Sequence, residues 1–187
     1  MKISRKDKID YCKIYSLEKY SDNRGYIVET FDSAIFKKLL EKDIQVFSGH
    51  ETYSRRDVLR GLHYQVGEPQ SRLVRVNYGL IFEVVLDLRK SSPSFGKWFD
   101  VILSSENFSA IWVPAGVAHG YFVLSEFAIV NIYADRGWSE ADQRCIKWND
   151  GELAIDWPLY KEYPVIIPPI LSERDKNGQN FLNAEYC

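Results

Sequence analysis

The sequence lacks any run that approaches the roughly 20 consecutive apolar residues needed to cross a membrane. Its first segment, MKISRKDKID, has no apolar stretch of the kind found in signal peptides. The three cysteines, Cys12, Cys145 and Cys187, are far apart and have no CxxC spacing, which argues against a disulfide framework and a zinc ribbon. A net charge of −2 provides no basic surface for nucleic acid. We therefore expect a soluble, cytoplasmic protein.

The chain nevertheless has the composition of a folded domain. Hydrophobic residues make up 45% of it and aromatic residues 14%, unlike disordered segments. Its 187 residues suit a single domain over 1–187, since domains usually contain roughly 100 to 200 residues. The segment Ser33 to Asp43 (SAIFKKLLEKD) repeats apolar residues at helical spacing, and Ser33 is positioned to cap it. This pattern predicts one short helix near the N-terminus.

Most of the remaining sequence consists of short apolar or alternating segments separated by turn residues. The predicted strands are Tyr26–Phe31, Val58–Gln65, Arg72–Val76, Leu80–Arg89, Phe99–Leu103, Ala110–Val113, Gly120–Leu124 and Phe127–Tyr133. Many short strands at this spacing are typical of an all-β sandwich, jelly roll or barrel. From about Asp150 to Cys187 the periodicity fades and prolines cluster. We expect this region to be an extended tail that wraps around the barrel.

Two histidines lie in segments expected to face the interior of such a barrel, His63 in VLRGLHYQ and His119 in VPAGVAHG. They can be hydrogen-bonded core residues, or a general base and its neighbour, because histidine titrates near neutral pH. Arg60 and Arg72 also lie in strand segments. Each is either part of a surface salt bridge or a buried cation that requires a partner or an anionic ligand.

Several motifs follow one another between about Asp22 and Asp175: DNRGYIVETF, VLRGLHYQ, RLVRVNYGLIFEVVLDLRKSSPSFGKW, LSSENFSAIWVPAGVAHGYFVLSE, KWND, IDWP and LSERD. Together they resemble the dTDP-4-dehydrorhamnose 3,5-epimerase family. The resemblance implies a cupin-type jelly-roll barrel that forms a homodimer and uses neither cofactor nor metal. It implies an isomerase acting on a nucleotide-linked 4-keto-6-deoxy sugar, whose ketone acidifies the protons on C3 and C5.

The same resemblance assigns roles to individual residues. His63 matches the histidine that removes the proton, Asp175 the aspartate that orients it, and His119 a second histidine near the reacting sugar. Arg72 stands in place of a lysine and is expected to stabilise the enolate. Arg24, Glu29 and Arg60 match residues that contact the nucleotide diphosphate and base. Arg24 and Glu29 are expected to reach the site of a neighbouring subunit. Trp138 replaces a tyrosine that stacks near the sugar nucleotide.

Two departures from the family pattern affect the expected chemistry. The position of the family's proton-donating tyrosine is Ile132, and Tyr133 follows one residue later. Since side chains alternate along a strand, Tyr133 reaches the barrel interior only if a bulge or a loop insertion restores the register. The family's Q-x-N-x-S motif is replaced by Ser48 to Thr52 (SGHET). His50 in this segment is either a substitute contact or acid, or an ordinary loop histidine.

Three other functions remain open at this point. The chain can be an epimerase that inverts a single carbon of a different nucleotide sugar, or a sugar-nucleotide binder without catalysis. It can also be a metal-dependent cupin, since three histidines and a carboxylate are able to ligate iron or manganese. The usual HxH pair with a following glutamate is absent from the sequence, which makes the metal-dependent reading the weakest of the three.

Overall fold

A computed structural model of the chain describes residues 2–6, 9, 12–40, 45–159 and 168–187. The strands of these residues are β1 (Lys2–Lys6), β2 (Lys13–Ser16), β3 (Lys19–Asp22), β4 (Gly25–Val28), β5 (Ser48–Arg55), β6 (Leu59–Gln65), β7 (Arg72–Tyr78), β8 (Leu80–Asp87), β9 (Trp98–Ser104), β10 (Ser109–Val113), β11 (Val117–Val123), β12 (Phe127–Ala134) and β13 (Gln143–Cys145). The helices are α1 (Ser33–Leu40) and α2 (Glu173–Lys176), and a 3-10 turn spans Phe181–Asn183.

The strands form two large antiparallel sheets and one separate hairpin. The six-stranded sheet has the order β1-β2-β10-β7-β12-β5, and the five-stranded sheet has the order β13-β6-β11-β8-β9. A continuous apolar cluster, to which both sheets contribute, fills the space between them, with Val74 and Val130 on one side and Val85 and Val123 on the other. The expectation of an all-β jelly-roll barrel is confirmed.

Two further apolar clusters cover the outer faces of the sheets. On the six-stranded sheet, Phe36 of α1 packs with Tyr15 and Trp112. On the five-stranded sheet, Trp157 and Leu153 of the C-terminal region pack against strand residues such as Leu86. Because strands covered on both faces bury nearly every side chain, β11 is buried along its whole length.

The eight predicted strands are all present, with ends that differ by up to three residues. The polar strand β5 was not predicted, because as the edge of the six-stranded sheet it exposes most of its side chains and carries no apolar alternation. The helix cap also differs from the prediction. Asp32, rather than Ser33, accepts hydrogen bonds from the backbone of Ala34 (2.7 Å) and Ile35 (3.1 Å). The end of the predicted helix, residues 41–43, lies outside the described residues.

The C-terminal region covers the five-stranded sheet, as expected, but it is not wholly extended. It contains α2 and the 3-10 turn, and it is tied to the barrel by backbone hydrogen bonds between Leu59 and Ile170 (3.0 Å) and between Lys147 and Gln179 (2.8 Å). Ser172 caps α2 by accepting from the backbone of Asp175. This docking holds Asp175 against the barrel.

Among the described strands, β3 and β4 pair only with each other and form a separate hairpin. Tyr20, Tyr26 and Ile27 are exposed there, and most other side chains of the two strands are exposed as well. None of the helices in the described ranges has the length and apolar character required to cross a lipid bilayer.

Candidate active site

A cavity of about 520 Å³ opens between the two large sheets. Strands of both sheets, the segment after β12 and helix α2 contribute to its wall. The lining residues are His50, Glu51, Thr52, Arg60, His63, Gln70, Arg72, His119, Tyr121, Ile132, Ala134, Trp138, Gln143 and Arg174. The barrel thus brings together residues that are far apart in sequence, and most of them are polar or charged.

His63 and Asp175 form a hydrogen-bonded pair at the cavity wall. His63 Nε2 lies 2.5 Å from Asp175 Oδ1, and the side chains are 24% and 2% exposed. Asp175 also accepts from the Ser172 hydroxyl (2.7 Å) and from the backbone of Gly61 (3.3 Å). Burial acts to raise the pKa of Asp175, but these hydrogen bonds and the nearby imidazole outweigh it and lower the pKa below its ordinary value.

The ionisation of Asp175 determines the tautomer of His63. A carboxylate can only accept hydrogen bonds, so His63 Nε2 carries the hydrogen in this pair. Nδ1 is then the unprotonated nitrogen, and it can take up a proton. The pair has the geometry of a general base with an orienting carboxylate.

Gly61 allows the strand pairing on which this arrangement depends. Its φ is +126°, and a Cβ there would lie 2.5 Å from Gly120 Cα and 2.9 Å from the carbonyl oxygen of His119. A side chain at this position would therefore separate β6 from β11. The backbone N–H of the same glycine donates a hydrogen bond to Asp175 Oδ1.

His119 pairs with a second buried carboxyl group. Its Nδ1 lies 2.7 Å from Glu83 Oε1, and the two side chains are 5% and 0% exposed. Burial lowers the pKa of His119, and Arg72 and His63 act in the same direction. Burial raises the pKa of Glu83 despite the opposing charge of Arg72. Both shifts favour the neutral forms, in which Glu83 donates to Nδ1 and His119 Nε2 carries a hydrogen.

Two arginines supply positive charge to the cavity. Arg72 donates to the backbone oxygen of His63 (3.2 Å) and to Gln70 Oε1 (3.1 Å). Burial lowers its pKa to about 10, so it remains protonated near neutral pH. Arg60 lies in the other part of the wall, where its Nε donates to Ser54 Oγ (2.9 Å). The cavity therefore suits a ligand that carries or develops negative charge.

Ile132 and Tyr133 occupy opposite faces of β12. Ile132 lines the cavity and packs against the core between the sheets, whereas Tyr133 packs with the α1 cluster outside the barrel. The pairing of β12 with β7 shifts between Ile129 and Val130, but this irregularity precedes both residues and leaves their alternation intact. The condition for Tyr133 to reach the interior, a bulge or loop insertion that restores the register, is therefore not met, because adjacent strand residues point to opposite faces.

The other expected binding residues fall into two groups. His50 and Trp138 line the cavity, and the exposed Trp138 donates from Nε1 to Gln143 Oε1 at 2.5 Å. Arg24 and Glu29 are not part of that lining. Arg24 lies in the turn between β3 and β4, 83% exposed and paired with Asp22 at 2.6 Å.

Sequence reasoning missed two polar residues near the reacting region, Tyr121 and Glu83. Tyr121 follows His119 by two positions on β11 and therefore shares its face. Glu83 is a single acid in the apolar segment LIFEVVLD, where an unpaired carboxyl group would be costly. The position of Tyr121 relative to His119 and the isolated acid at Glu83 were the available signals, although hydrophobicity alone marks neither residue as facing the cavity.

In the described part of the chain, one cluster of potential metal ligands includes a cavity residue. It consists of His63, Cys145 and Asp175, whose ligand atoms lie within 4.8 Å of one another. Burial raises the pKa of the Cys145 thiol to about 12, and Asp175 acts in the same direction. His63 and His119 each contact a different carboxyl group. The three histidines and a carboxylate proposed as a metal set therefore do not converge on one point.

Comparisons with known proteins identify related chains over nearly the whole length. A family model described as dTDP-4-dehydrorhamnose 3,5-epimerase matches residues 6–183. A dTDP-4-dehydrorhamnose 3,5-epimerase of Pseudomonas aeruginosa is 41% identical over 166 residues, which cover 89% of this chain and 88% of that protein.

Solved structures give the same result. The crystal structure of a dTDP-4-dehydrorhamnose 3,5-epimerase from Elizabethkingia anophelis has a TM-score of 0.90 at 35% identity, covering 100% of this chain and 99% of the other. A dTDP-6-deoxy-D-glucose-3,5-epimerase from Legionella pneumophila, in complex with dTDP-4-keto-L-rhamnose, has a TM-score of 0.88 at 35% identity, covering 96% and 92%.

Proposed function

Because the chain belongs to the dTDP-4-dehydrorhamnose 3,5-epimerase family of isomerases, we propose that it inverts C3, C5 or both in a nucleotide-linked 4-keto-6-deoxy sugar. The observation that carries this proposal is the His63–Asp175 pair at the wall of a cationic cavity. A pure binding protein has no need of an oriented base beside buried positive charge.

The proposed reaction begins with proton abstraction next to the ketone. His63 Nδ1 takes the proton, the C–H electron pair becomes the C=C bond of an enolate, and the negative charge moves to the C4 oxygen. Arg72 and the hydrogen on His119 Nε2 are the groups suited to stabilise that oxygen. Protonation of the carbon from the opposite face restores the ketone and inverts the centre.

The nucleotide part of the substrate is proposed to lie toward Arg60, with Trp138 at the rim as a stacking surface. Support comes from the Arg60 guanidinium in the cavity wall and from the exposed indole of Trp138. The relative from Legionella pneumophila was solved with dTDP-4-keto-L-rhamnose, so dTDP-linked sugars are the first substrates to test. We propose a role in deoxysugar biosynthesis, in the cytoplasm, on the basis of this substrate class.

We also propose a homodimer in which the β3–β4 hairpin of one subunit reaches the cavity of the other. The exposed Tyr20, Tyr26 and Ile27 provide an apolar surface for such a contact. Mixing Arg24→Ala and His63→Ala chains tests this arrangement. If the hairpin acts between subunits, mixed dimers contain one intact site and activity returns, whereas a hairpin acting within its own subunit gives no recovery.

Proton NMR in deuterated water tests the reaction itself. The probe is dTDP-4-keto-6-deoxyglucose, with exchange followed separately at C3 and C5 in the wild-type chain and in His63→Ala. Exchange at both carbons that disappears in the variant supports a double epimerase, and exchange at one supports a single-centre enzyme. Binding of the sugar nucleotide without exchange would instead support a non-catalytic binder. Elemental analysis of the active protein distinguishes the metal-dependent alternative.

A further inference from the structure

Inversion requires a second proton-transfer group on the side of the substrate away from the base. His63 acts from the five-stranded sheet, where Asp175 holds it. His119 lies beside it, since the two residues are paired neighbours on β11 and β6. Neither histidine is therefore placed to protonate the opposite face. The donor must come from the other wall of the cavity.

Tyr121 reaches that other wall. Its backbone belongs to β11 in the five-stranded sheet, but its hydroxyl lies 2.7 Å from Thr52 Oγ1 and 3.2 Å from Ser54 Oγ, both on β5 of the six-stranded sheet. The phenol thus spans the interior, and Tyr121 is the one tyrosine that lines the cavity among the described residues. Tyr133 packs outside the barrel.

Two hydroxyl groups and a guanidinium form a hydrogen-bonded chain at the Tyr121 hydroxyl. Arg60 Nε donates to Ser54 Oγ at 2.9 Å, so the hydroxyl hydrogen of Ser54 is free to be donated to Tyr121 Oη. Thr52 is able to donate to the same oxygen at 2.7 Å in place of its longer contact of 3.5 Å to the carbonyl oxygen of Val130. A phenolate formed at Tyr121 would therefore accept from two hydroxyls, one of them polarised by a guanidinium.

We propose that Tyr121 is the proton donor that completes inversion, and that Arg60 and Ser54 polarise it. The Tyr121 O–H bond breaks, its proton forms the new C–H bond with the electron pair of the enolate C=C, and the C4 ketone is restored. The O–H electron pair remains on Tyr121 Oη as a phenolate. The imidazolium of His63 and this phenolate then exchange a proton through solvent, which resets the site. This inference rests on the proposed epimerase function.

Tyr121→Phe tests the proposal against the matched control Tyr133→Phe, which removes the same hydroxyl outside the cavity. In deuterated water, His63 still removes the substrate proton and returns deuterium to the same face. We therefore expect Tyr121→Phe to lose inversion on the order of 100-fold while exchange persists. Tyr133→Phe keeps both rates. Circular dichroism and dTDP binding establish that each variant is folded.

The outcomes separate this proposal from the proposed function. If Tyr121→Phe keeps the wild-type ratio of inversion to exchange, Tyr121 is not the donor although the enzyme is an epimerase. If Tyr133→Phe loses inversion instead, the assignment is also overturned. A wild-type chain that neither exchanges nor inverts the sugar refutes the epimerase function itself, and the proposal with it.

Ser54→Ala tests the polarising role separately. Ser54 acts through Tyr121 and is a positioning residue. We expect Ser54→Ala to lower the inversion rate while exchange at the same carbon persists, because Tyr121 Oη loses a hydrogen-bond donor that Arg60 polarises. A purely structural effect would lower inversion and exchange together, and that result would overturn the role assigned to Ser54.

Discussion

Replacing Asp175 by asparagine tests the orientation of the base with little change in shape. Asparagine keeps an oxygen that can accept from His63 Nε2, but it removes the charge that stabilises the imidazolium formed on proton abstraction. The wild-type contact is 2.5 Å long and almost completely shielded from solvent on the carboxyl side. A hydrogen bond to a charged group contributes about 1.5–3 kcal/mol.

That range sets the expected size of the effect. Since each 1.36 kcal/mol corresponds to a tenfold change in rate, Asp175→Asn should lower kcat roughly 10- to 150-fold. KM should change little, because Arg60 and Arg72 belong to the barrel and remain in place. Initial-rate measurements of exchange at C3 and C5 provide both constants.

Asp150→Asn is the matched control for this substitution. Asp150 is also a buried aspartate of the C-terminal region, and it accepts from the backbone of Phe181 at 2.7 Å and of Glu152 at 2.9 Å. It does not line the cavity. We expect Asp150→Asn to lower the unfolding temperature without lowering kcat. A folded Asp175→Asn variant with kcat within twofold of wild type would refute the orienting role of Asp175.

Two further substitutions test the close contact at Gly61 and the hydrogen-bonded carboxylate of Asp87. Gly61→Ala places a Cβ 2.5 Å from Gly120 Cα, so the free energy of unfolding should fall by about 2 kcal/mol or more, and activity should be lost. Gly151→Ala is the control, because its Cβ would lie in open space, and it should change neither stability nor activity. Burial acts to raise the pKa of Asp87, but hydrogen bonds from Arg89 and two serines lower it from 3.8 to about 2. The folded state therefore gains about 2 kcal/mol that is present above about pH 4 and lost as pH falls toward 2. In urea titrations, Asp87→Asn should be less stable than wild type near neutral pH, and this difference should shrink to roughly half by pH 3; an equal difference at both pH values would contradict this linkage.

Short apolar or alternating segments between turn residues allowed eight strands to be predicted, but alternation shows which side chains face the cavity only where one face of the strand is polar. In β11 both faces are covered, and all seven residues are buried. Hydrophobicity therefore does not show which side chains enter the cavity, and Tyr121 was not recognised. In β5 most side chains are exposed, so this edge strand has no apolar pattern by which it could be predicted.

The pairing of His63 with Asp175 illustrates a different limit. The residues are 112 positions apart, and no spacing rule connects a strand residue with a residue near the C-terminus. The expectation came from resemblance to a family, and the hydrogen bond gives it a physical basis. For Tyr133 the resemblance was less useful than the backbone geometry, since a one-residue offset places the phenol outside the barrel.

The orientation of the base His63 depends on the docking of the C-terminal region, because that region carries Asp175. Helix α2 has only four residues, too few for a helix to be stable by itself, so its position depends on the backbone pairs at Ile170 and Gln179 on either side. A change that breaks these two backbone pairs withdraws Asp175 from His63 but leaves the cationic wall of the barrel intact. Such a change should therefore reduce kcat well before it weakens sugar-nucleotide binding.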